Sequence, residues 1–292
     1  MIDLSHLSMR FRRSVAVNDL SVNIPEGTAV ALWGANGAGK TTILRCILGL
    51  LRYRGEIRVG GIDARRHGTK VRRLIGYVPQ ELGFYDDLRV GEAVHLVARL
   101  KGLRAANTGE ALERVGLPGE QRKRIRELSG GMKQRLALAL ALLGDPPILL
   151  LDEVTASLDA HGREALMQLL GRLSGTGRTI LFASHREDEV MALADRVAVL
   201  DHGRLVATHA ASELVDRLGH GATLHLRTAP DRATSALDAL RRSGFVATLN
   251  GVGIIVPVPN GQKGAPFRVL AEARIAVEDF DLVQTAHREA QP

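Results

Sequence analysis

The chain has 292 residues, 45% of them hydrophobic and 24% charged, and a formal net charge of +7. That balance is ordinary for a globular chain large enough to bury its own core, as one large domain plus a small one. It excludes an internal disulfide, because Cys46 is the only cysteine, and it excludes a membrane-spanning helix, because no apolar stretch approaches ~20 residues.

Residues 2–24 partly alternate apolar and polar, as in Leu20-Ser21-Val22-Asn23-Ile24, which predicts half-buried antiparallel strand. Pro25-Glu26-Gly27 turns the chain into a buried strand over 28–33, and a helix is expected over 40–51. Cys46 sits on that helix, where it reads as small core filler. Arg54 to Val59 and Leu74 to Val78 read as short strands on either side of a Gly60-Gly61 turn and loop. Residues 88–127 change character and predict a helical insert, with helices over 90–101, 108–115 and 120–127. The parallel-sheet rhythm then resumes: strand 148–151, helix 160–173, strand 179–183, a hairpin of 196–200 with 204–208, and a helix at about 211–218. After Gly219-His220-Gly221 the pattern restarts. Strands at 222–227, 245–249, 253–258 and 275–280 interleave with helices at 231–243 and 265–273, and a terminal helix follows. That β-α-β-β-α-β order is ferredoxin-like.

The chemistry concentrates at three places. Gly34-Ala35-Asn36-Gly37-Ala38-Gly39-Lys40-Thr41-Thr42 follows a buried strand and opens a helix, matching G-x-x-x-x-G-K-[ST]. Such a loop cradles phosphate with curled backbone N–H groups and a helix N-terminus. Lys40 reaches the β- and γ-phosphates, and Thr41 can ligate Mg²⁺. Ile148-Leu149-Leu150-Leu151-Asp152-Glu153 is a fully apolar strand ending in two carboxylates. Asp152 can hold Mg²⁺ through water, and Glu153 can polarise an attacking water. Leu128-Ser129-Gly130-Gly131-Met132-Lys133-Gln134-Arg135 opens a second helix with an anion-binding start. The histidines other than His185 show no metal-ligand spacing.

Together these segments, which occur along the chain in the family's order, resemble the ATP-binding cassette (ABC) ATPases over about residues 1–218. Gly34–Thr42 is similar to the family's Walker A, 148–153 to its Walker B and 128–135 to its signature motif. Gln80 matches the Q-loop, Ala156-Ser157-Leu158-Asp159 the D-loop and His185 the switch histidine. Phe11 stands where the family stacks an aromatic on adenine. The chain departs from the common pattern at Met132, Val154 and Phe11, none of which removes a charged catalytic group. The resemblance implies a P-loop α/β cassette over 1–218, with a mixed-sheet core, an antiparallel N-terminal β-subdomain and a helical insert at about 88–127. A small α+β accessory domain over 222–292 follows. It also implies that ATP with Mg²⁺ lies between one subunit's Walker A and Ser129, Gly130 and Gly131 of a second copy, or of a homologous cassette. Gln80 then links Mg²⁺ and water to the insert, and His185 meets the γ-phosphate.

Two tasks stay open. One is the motor of a membrane transporter, its permease on a separate chain and docked on Leu82–Asp87. The other is a soluble ABC ATPase of cofactor or metal-centre assembly. The single cassette and βαββαβ tail resemble the drug, polysaccharide and copper-processing exporter branch. Within it, Phe84-Tyr85, Ala98 to Gly102 and the tail look similar to the ATPase of nitrous-oxide-reductase maturation. Met1 to His6 lack the basic and apolar regions of a secretory signal, so a cytoplasmic protein, peripheral on the inner face of the membrane, is expected. The arginines form no block of five and aromatics are 3%. They read as scattered solvated charge, and no nucleic-acid partner is expected.

Overall fold

The computed structural model describes residues 1–12, 14–103, 107–212, 222–245, 247–250, 253–258 and 263–284. The chain divides into two compact units, Met1–Ser212 and Glu213–Pro292.

The first unit contains two sheets. β1 (Ile2–Phe11) and β2 (Ser14–Ile24) form an antiparallel hairpin, and β4 (Arg54–Val59) with β5 (Ile62–Asp63) extends it in the order β2-β1-β4-β5. Ile2, Leu4, Leu7 and Met9 of β1 point inward. The break between Leu4 and Leu7 is a bulge, where the pairing register shifts. His6 and Asp19 there both take positive φ, and their side chains meet at 2.8 Å. The bulge re-aims the strand so that its apolar face stays on the core.

The second sheet has the order β10-β9-β3-β8-β7-β6. β3 (Ala29–Trp33), β6 (Ile75–Val78), β7 (Ile148–Asp152), β8 (Thr179–Ser184) and β9 (Arg196–Asp201) run parallel, and β10 (Arg204–Ala210) closes the edge as a hairpin. Every residue of β7 and β8 is buried, as strands covered on both faces require. The helix α1 (Lys40–Ile47) lies between the two sheets. Its Ile43, Leu44 and Ile47 join one core with Leu4 and Leu7 of β1, Leu32 of β3 and Leu150 of β7. Each such buried side chain stabilises the fold by about 1.5–3 kcal/mol.

The insert holds α3 (Val90–Leu100) and α4 (Thr108–Glu113), and the long helix α5 (Gly130–Leu142) follows. Lys101 donates to the carbonyls of Leu140, Ala141 and Leu143 at 2.9–3.1 Å, capping α5 where its negative dipole end emerges. The helix expected over 120–127 is instead two 3₁₀ turns, Glu120–Arg122 and Ile125–Glu127. Between them Lys123 and Arg124 are extended. The N–H of Val90 bonds Lys123 and that of Ile125 bonds Leu88, both at 2.9 Å, so tertiary pairing overrides local propensity. A short helix absent from the sequence reading, α7 (Glu187–Leu193), follows α6 (Ala160–Ser174) and β8. The helix expected at 211–218 lies almost wholly outside the described residues.

The second unit is a four-stranded antiparallel sheet in the order β12 (Thr248–Asn250), β13 (Gly253–Val258), β11 (Ala222–Arg227), β14 (Asp279–Gln284), carrying the helices Ala233–Arg242 and Ala265–Glu272. β11 and β13 are central. Two strands start later than expected: β12 at Thr248 rather than Phe245, and β14 at Asp279 rather than Ile275. Both displaced segments serve as helix C-terminal locks. Phe245 N–H bonds Leu240 O and Gly244 N–H bonds Arg241 O; Ile275 N–H bonds Leu270 O and Arg274 N–H bonds Ala271 O. These are paired Schellman bonds, with Gly244 and Arg274 at positive φ and Ile275 folded back onto the helix core. The expected terminal helix lies outside the described residues.

Candidate nucleotide site

β3, β8 and β7 are parallel neighbours, so their carboxyl ends share one sheet edge. Trp33 pairs with Ser184, and Asp152 with Ala183. The next residue out from each strand is therefore Gly34, His185 and Glu153. β6 ends beside Leu151 at Val78, two residues before Gln80. Ligands of open α/β sheets bind in the crevice at such an edge.

The loop over 34–39 is built for close backbone approach. A Cβ on Gly34 would stand 2.4 Å from Leu200 O, and one on Gly39 2.6 Å from Ala16 O. Gly37 and Gly39 have φ of +85° and +100°. A Cβ on Gly37 would meet nothing within 4 Å. The first-turn N–H groups of α1 lack helical acceptors and can receive an anion without competition. Ala16, Asn36, Gly37, Gly39, Lys40, Thr41, Thr42, Gln80 and Glu153 surround one cleft.

Lys40 is 4% exposed and its Nζ donates to Gly34 O at 2.7 Å and Ala35 O at 3.1 Å. It also stands 3.2 Å from Glu153 Oε1. The other carboxylate oxygen of Glu153 lies 3.5 Å from His185 Nδ1. Glu153 holds φ at +44°, tied by its N–H to Ala183 O at 3.2 Å. A non-glycine residue in that conformation costs on the order of 1–3 kcal/mol, the strain that functional edges retain. Thr41 Oγ1 donates to Asp152 Oδ1 at 2.8 Å, and the Tyr77 hydroxyl reaches Asp152 Oδ2 at 3.4 Å. Burial raises the Asp152 carboxyl above its ordinary range; the Thr41 hydrogen bond opposes this and the Glu153 charge adds to it. Tyr77 is raised likewise, by burial first and by Asp152 second. Thr41 and Asp152 thus present adjacent hard oxygens, the donor set Mg²⁺ takes. No group of three or more His, Cys, Asp or Glu able to hold a metal occurs among the described residues.

The other sequence candidates lie apart from the cleft lining. Phe11 is 47% exposed at the tip of the β1–β2 hairpin, the hairpin whose Ala16 lines the cleft. Ser129 caps α5, its Oγ accepting from Met132 N–H at 3.3 Å, and Gly130 beside it is exposed. Gly131 meets only Leu158 Cδ2, at 3.9 Å, where a Cβ would stand. Asp159 caps α6 through Gly162 N–H at 2.7 Å. Cys46 is buried, and burial pushes its thiol up to about 11.

Sequence reasoning missed Glu189. This carboxylate is 5% exposed and accepts from the hydroxyls of Thr155 and Ser184, the latter at 2.7 Å. Ser184 Oγ in turn accepts from Arg186 N–H at 3.0 Å. One carboxylate therefore fixes both flanks of His185 to the segment just after Glu153. No local signal marks it, because His185 lies outside α7, whose extended N-cap residue is Arg186.

A second concavity lies along α3 and α5, lined among others by Leu48, Leu50, Pro79, Leu82, Phe84 and Val97. It is apolar, and Asp86 and Asp87 of the adjoining loop pair with Lys133 and Arg126 at 3.0 and 2.8 Å. No helix among the described residues is long and apolar enough to cross a membrane.

A glycine-rich phosphate cradle, a buried lysine and two strand-end carboxylates on one parallel-sheet edge define a P-loop nucleotide-binding protein. The comparisons narrow the class. The sequence model described as "ABC transporter" matches residues 17–156. The daunorubicin resistance ATP-binding protein DrrA3 of Streptomyces coeruleorubidus is 34% identical over 290 residues, 94% of this chain and 89% of that protein. ATP-binding cassette sub-family A member 7 of Mus musculus is 34% identical over 96% of this chain, which spans only 14% of that protein. Among solved structures, a dimeric post-hydrolysis ATP-binding cassette bound to ADP and Pi matches with a TM-score of 0.65 at 29% identity. That match covers 72% of this chain and 99% of the cassette. The chain belongs to the ABC transporter family, as an ATP-binding protein.

Proposed function

We propose that this chain binds and hydrolyses ATP to drive an ABC exporter. The carrying observation is one cleft lined by Lys40, Thr41, Glu153 and Gln80, with Asp152 hydrogen-bonded to Thr41 behind it and His185 3.5 Å from Glu153. The loop N–H groups and Lys40 neutralise the β- and γ-phosphates. Thr41 and Asp152 would hold Mg²⁺, which would supply positive charge against the developing charge on the phosphates. Glu153 polarises the attacking water, whose oxygen bonds the γ-phosphorus as the bond to the ADP oxygen breaks. His185 braces Glu153 and faces the γ-phosphate, while Gln80 senses the same site from the edge of the insert. Phe11 stacks on the adenine.

Ser129, Gly130, Gly131 and Asp159 lie outside this cleft, so their anion-binding start serves a second cassette. Two copies close head to tail over two ATP molecules, and hydrolysis releases them. The solved relative bound to ADP and Pi is itself dimeric, which supports this. The apolar groove by Leu82–Asp87 receives a permease segment on a separate chain, placing the protein at the inner face of the membrane. Residues 1–218 form the motor and 222–292 the accessory domain. Likeness to a drug-resistance ATP-binding protein over 94% of the chain supports export. A narrower role in nitrous-oxide-reductase maturation is supported by Phe84-Tyr85, Ala98 to Gly102 and the tail. The test is detergent co-purification from cells expressing the neighbouring reading frames. A stoichiometric integral membrane partner is expected. A soluble scaffold in its place would assign the chain to cofactor assembly.

A further inference from the structure

Residues 52–73 hold eight arginines or lysines and only two acids, Glu56 and Asp63, a balance of +6 within a chain of +7. Along the sequence these cations are interspersed, and the fold leaves them exposed. β4 buries Ile57 and Val59 and leaves Arg54 and Arg58 exposed. The β4–β5 turn then brings Arg65 back, to donate to Tyr53 O and Gly55 O at 3.0 Å with its guanidinium 4.8 Å over the Tyr53 ring. The helix α2 (Gly68–Arg73) buries only Val71 and exposes Lys70, Arg72 and Arg73. Arg72 reaches Leu48 O at 3.4 Å. The two acids are spent within the segment, Glu56 on Arg58 and Asp63 on Arg66. Among the described residues Arg52, Arg54, Arg65, Lys70, Arg72 and Arg73 form no ion pair, so their charge is available to a partner.

This surface runs into the apolar groove, because Arg72 lines both. Leu50, at the same border, is 61% exposed. We propose that this face rests on the anionic phospholipid headgroups of the inner leaflet, beside the permease, and turns the groove toward the membrane. The orientation rests on the permease reading of the groove; the charge argument does not. A planar anionic surface attracts spread cations without needing a shaped pocket. Nucleic acid is the poorer fit. Tyr53 is the only aromatic within 52–73 and is already covered by Arg65, leaving no stacking platform. The six-residue α2 offers little length for reading a groove.

Flotation of the full chain, without permease, with phosphatidylcholine vesicles and with vesicles containing phosphatidylglycerol tests this. Binding is expected to the anionic vesicles alone and to weaken as salt is raised. The Lys70→Gln/Arg73→Gln double variant should bind about 25-fold more weakly, about fivefold per cation, with ATP hydrolysis unchanged. The same charge loss at Arg232 and Arg242, in the second unit, should leave vesicle binding near the parent's. Equal binding to both vesicles, or no response to the double variant, overturns the proposal. So does tighter binding to duplex DNA at equal phosphate concentration, which would give the surface to nucleic acid. Anionic-vesicle binding without any co-purifying permease would sink the permease reading instead and leave the lipid contact standing.

Discussion

Replacing Glu153 with Gln separates chemistry from binding. Lys40 Nζ has three oxygen partners: Gly34 O at 2.7 Å, Ala35 O at 3.1 Å and Glu153 Oε1 at 3.2 Å. The amide keeps an oxygen for Lys40 and leaves both carbonyls in place, so the lysine is not stranded. The net cost to folding is about 1–2 kcal/mol, that of weakening one charged hydrogen bond. The amide cannot accept a proton from water, and turnover should fall by roughly 10²–10⁴, equivalent to about 3–5 kcal/mol of barrier. Glu153 also places negative charge beside an anion, so its neutralisation should tighten ATP binding rather than loosen it. Phosphate release, calorimetric titration with Mg–ATP and size-exclusion chromatography read the three quantities. The expected result is slow hydrolysis, undiminished affinity and an accumulated ATP-bound dimer. Turnover within about tenfold of the parent would show that another group activates the water.

Gly39→Ala meets Ala16 O at 2.6 Å, whereas Gly37→Ala meets nothing within 4 Å; both require positive φ. By differential scanning fluorimetry the Gly37 variant should lose about 1–2 kcal/mol and the Gly39 variant distinctly more, together with nucleotide binding. Because burial raises the folded carboxyl of Asp152, the native state holds that proton more tightly than the unfolded chain. Its contribution to stability therefore falls as pH rises from the ordinary carboxylate range through the raised value. Asp152→Asn should flatten that fall, match or exceed the parent's Tm at neutral pH without ligand, and gain nothing further when Mg²⁺ is added to ATP. A parent-like pH slope in the variant would refute the assignment. Glu189→Gln should lower kcat about tenfold with little change in KM for ATP, because it loosens His185 and the segment after Glu153 rather than the phosphate cradle. A rise in KM alone would contradict that role.

Much of the cassette was legible because its signals are local. The strand–glycine loop–helix run at 28–47 and the apolar strand ending in Asp152-Glu153 each need only a few consecutive residues to declare themselves. The parallel pairing of β3, β8 and β7 then carries Gly34, Glu153 and His185 to one edge. What stayed hidden depends on distant partners. The 3₁₀ turns at 120–127 reflect pairing of Leu88 and Val90 with Ile125 and Lys123. The late starts of β12 and β14 reflect helix locks at Gly244 and Arg274, and a non-glycine lock such as Arg274 leaves little trace in sequence. Glu189 is the last of three consecutive acids in a stretch where the sequence reading placed no helix, and only the fold turns it toward Thr155 and Ser184. The cations of 52–73 likewise read as scatter until the fold shows them exposed and, apart from Arg58 and Arg66, without an ion pair among the described residues.

Calorimetric titration of the full chain with Mg–ATP, followed by sedimentation of the Glu153→Gln variant with the same ligand, tests the central claim most directly. One ATP per chain, lost in Lys40→Ala, and a dimer that forms only with ATP are the predicted results. No heat of binding at ~1 mM nucleotide, the upper end of the usual substrate range, or a monomer that ignores ATP, would contradict the account.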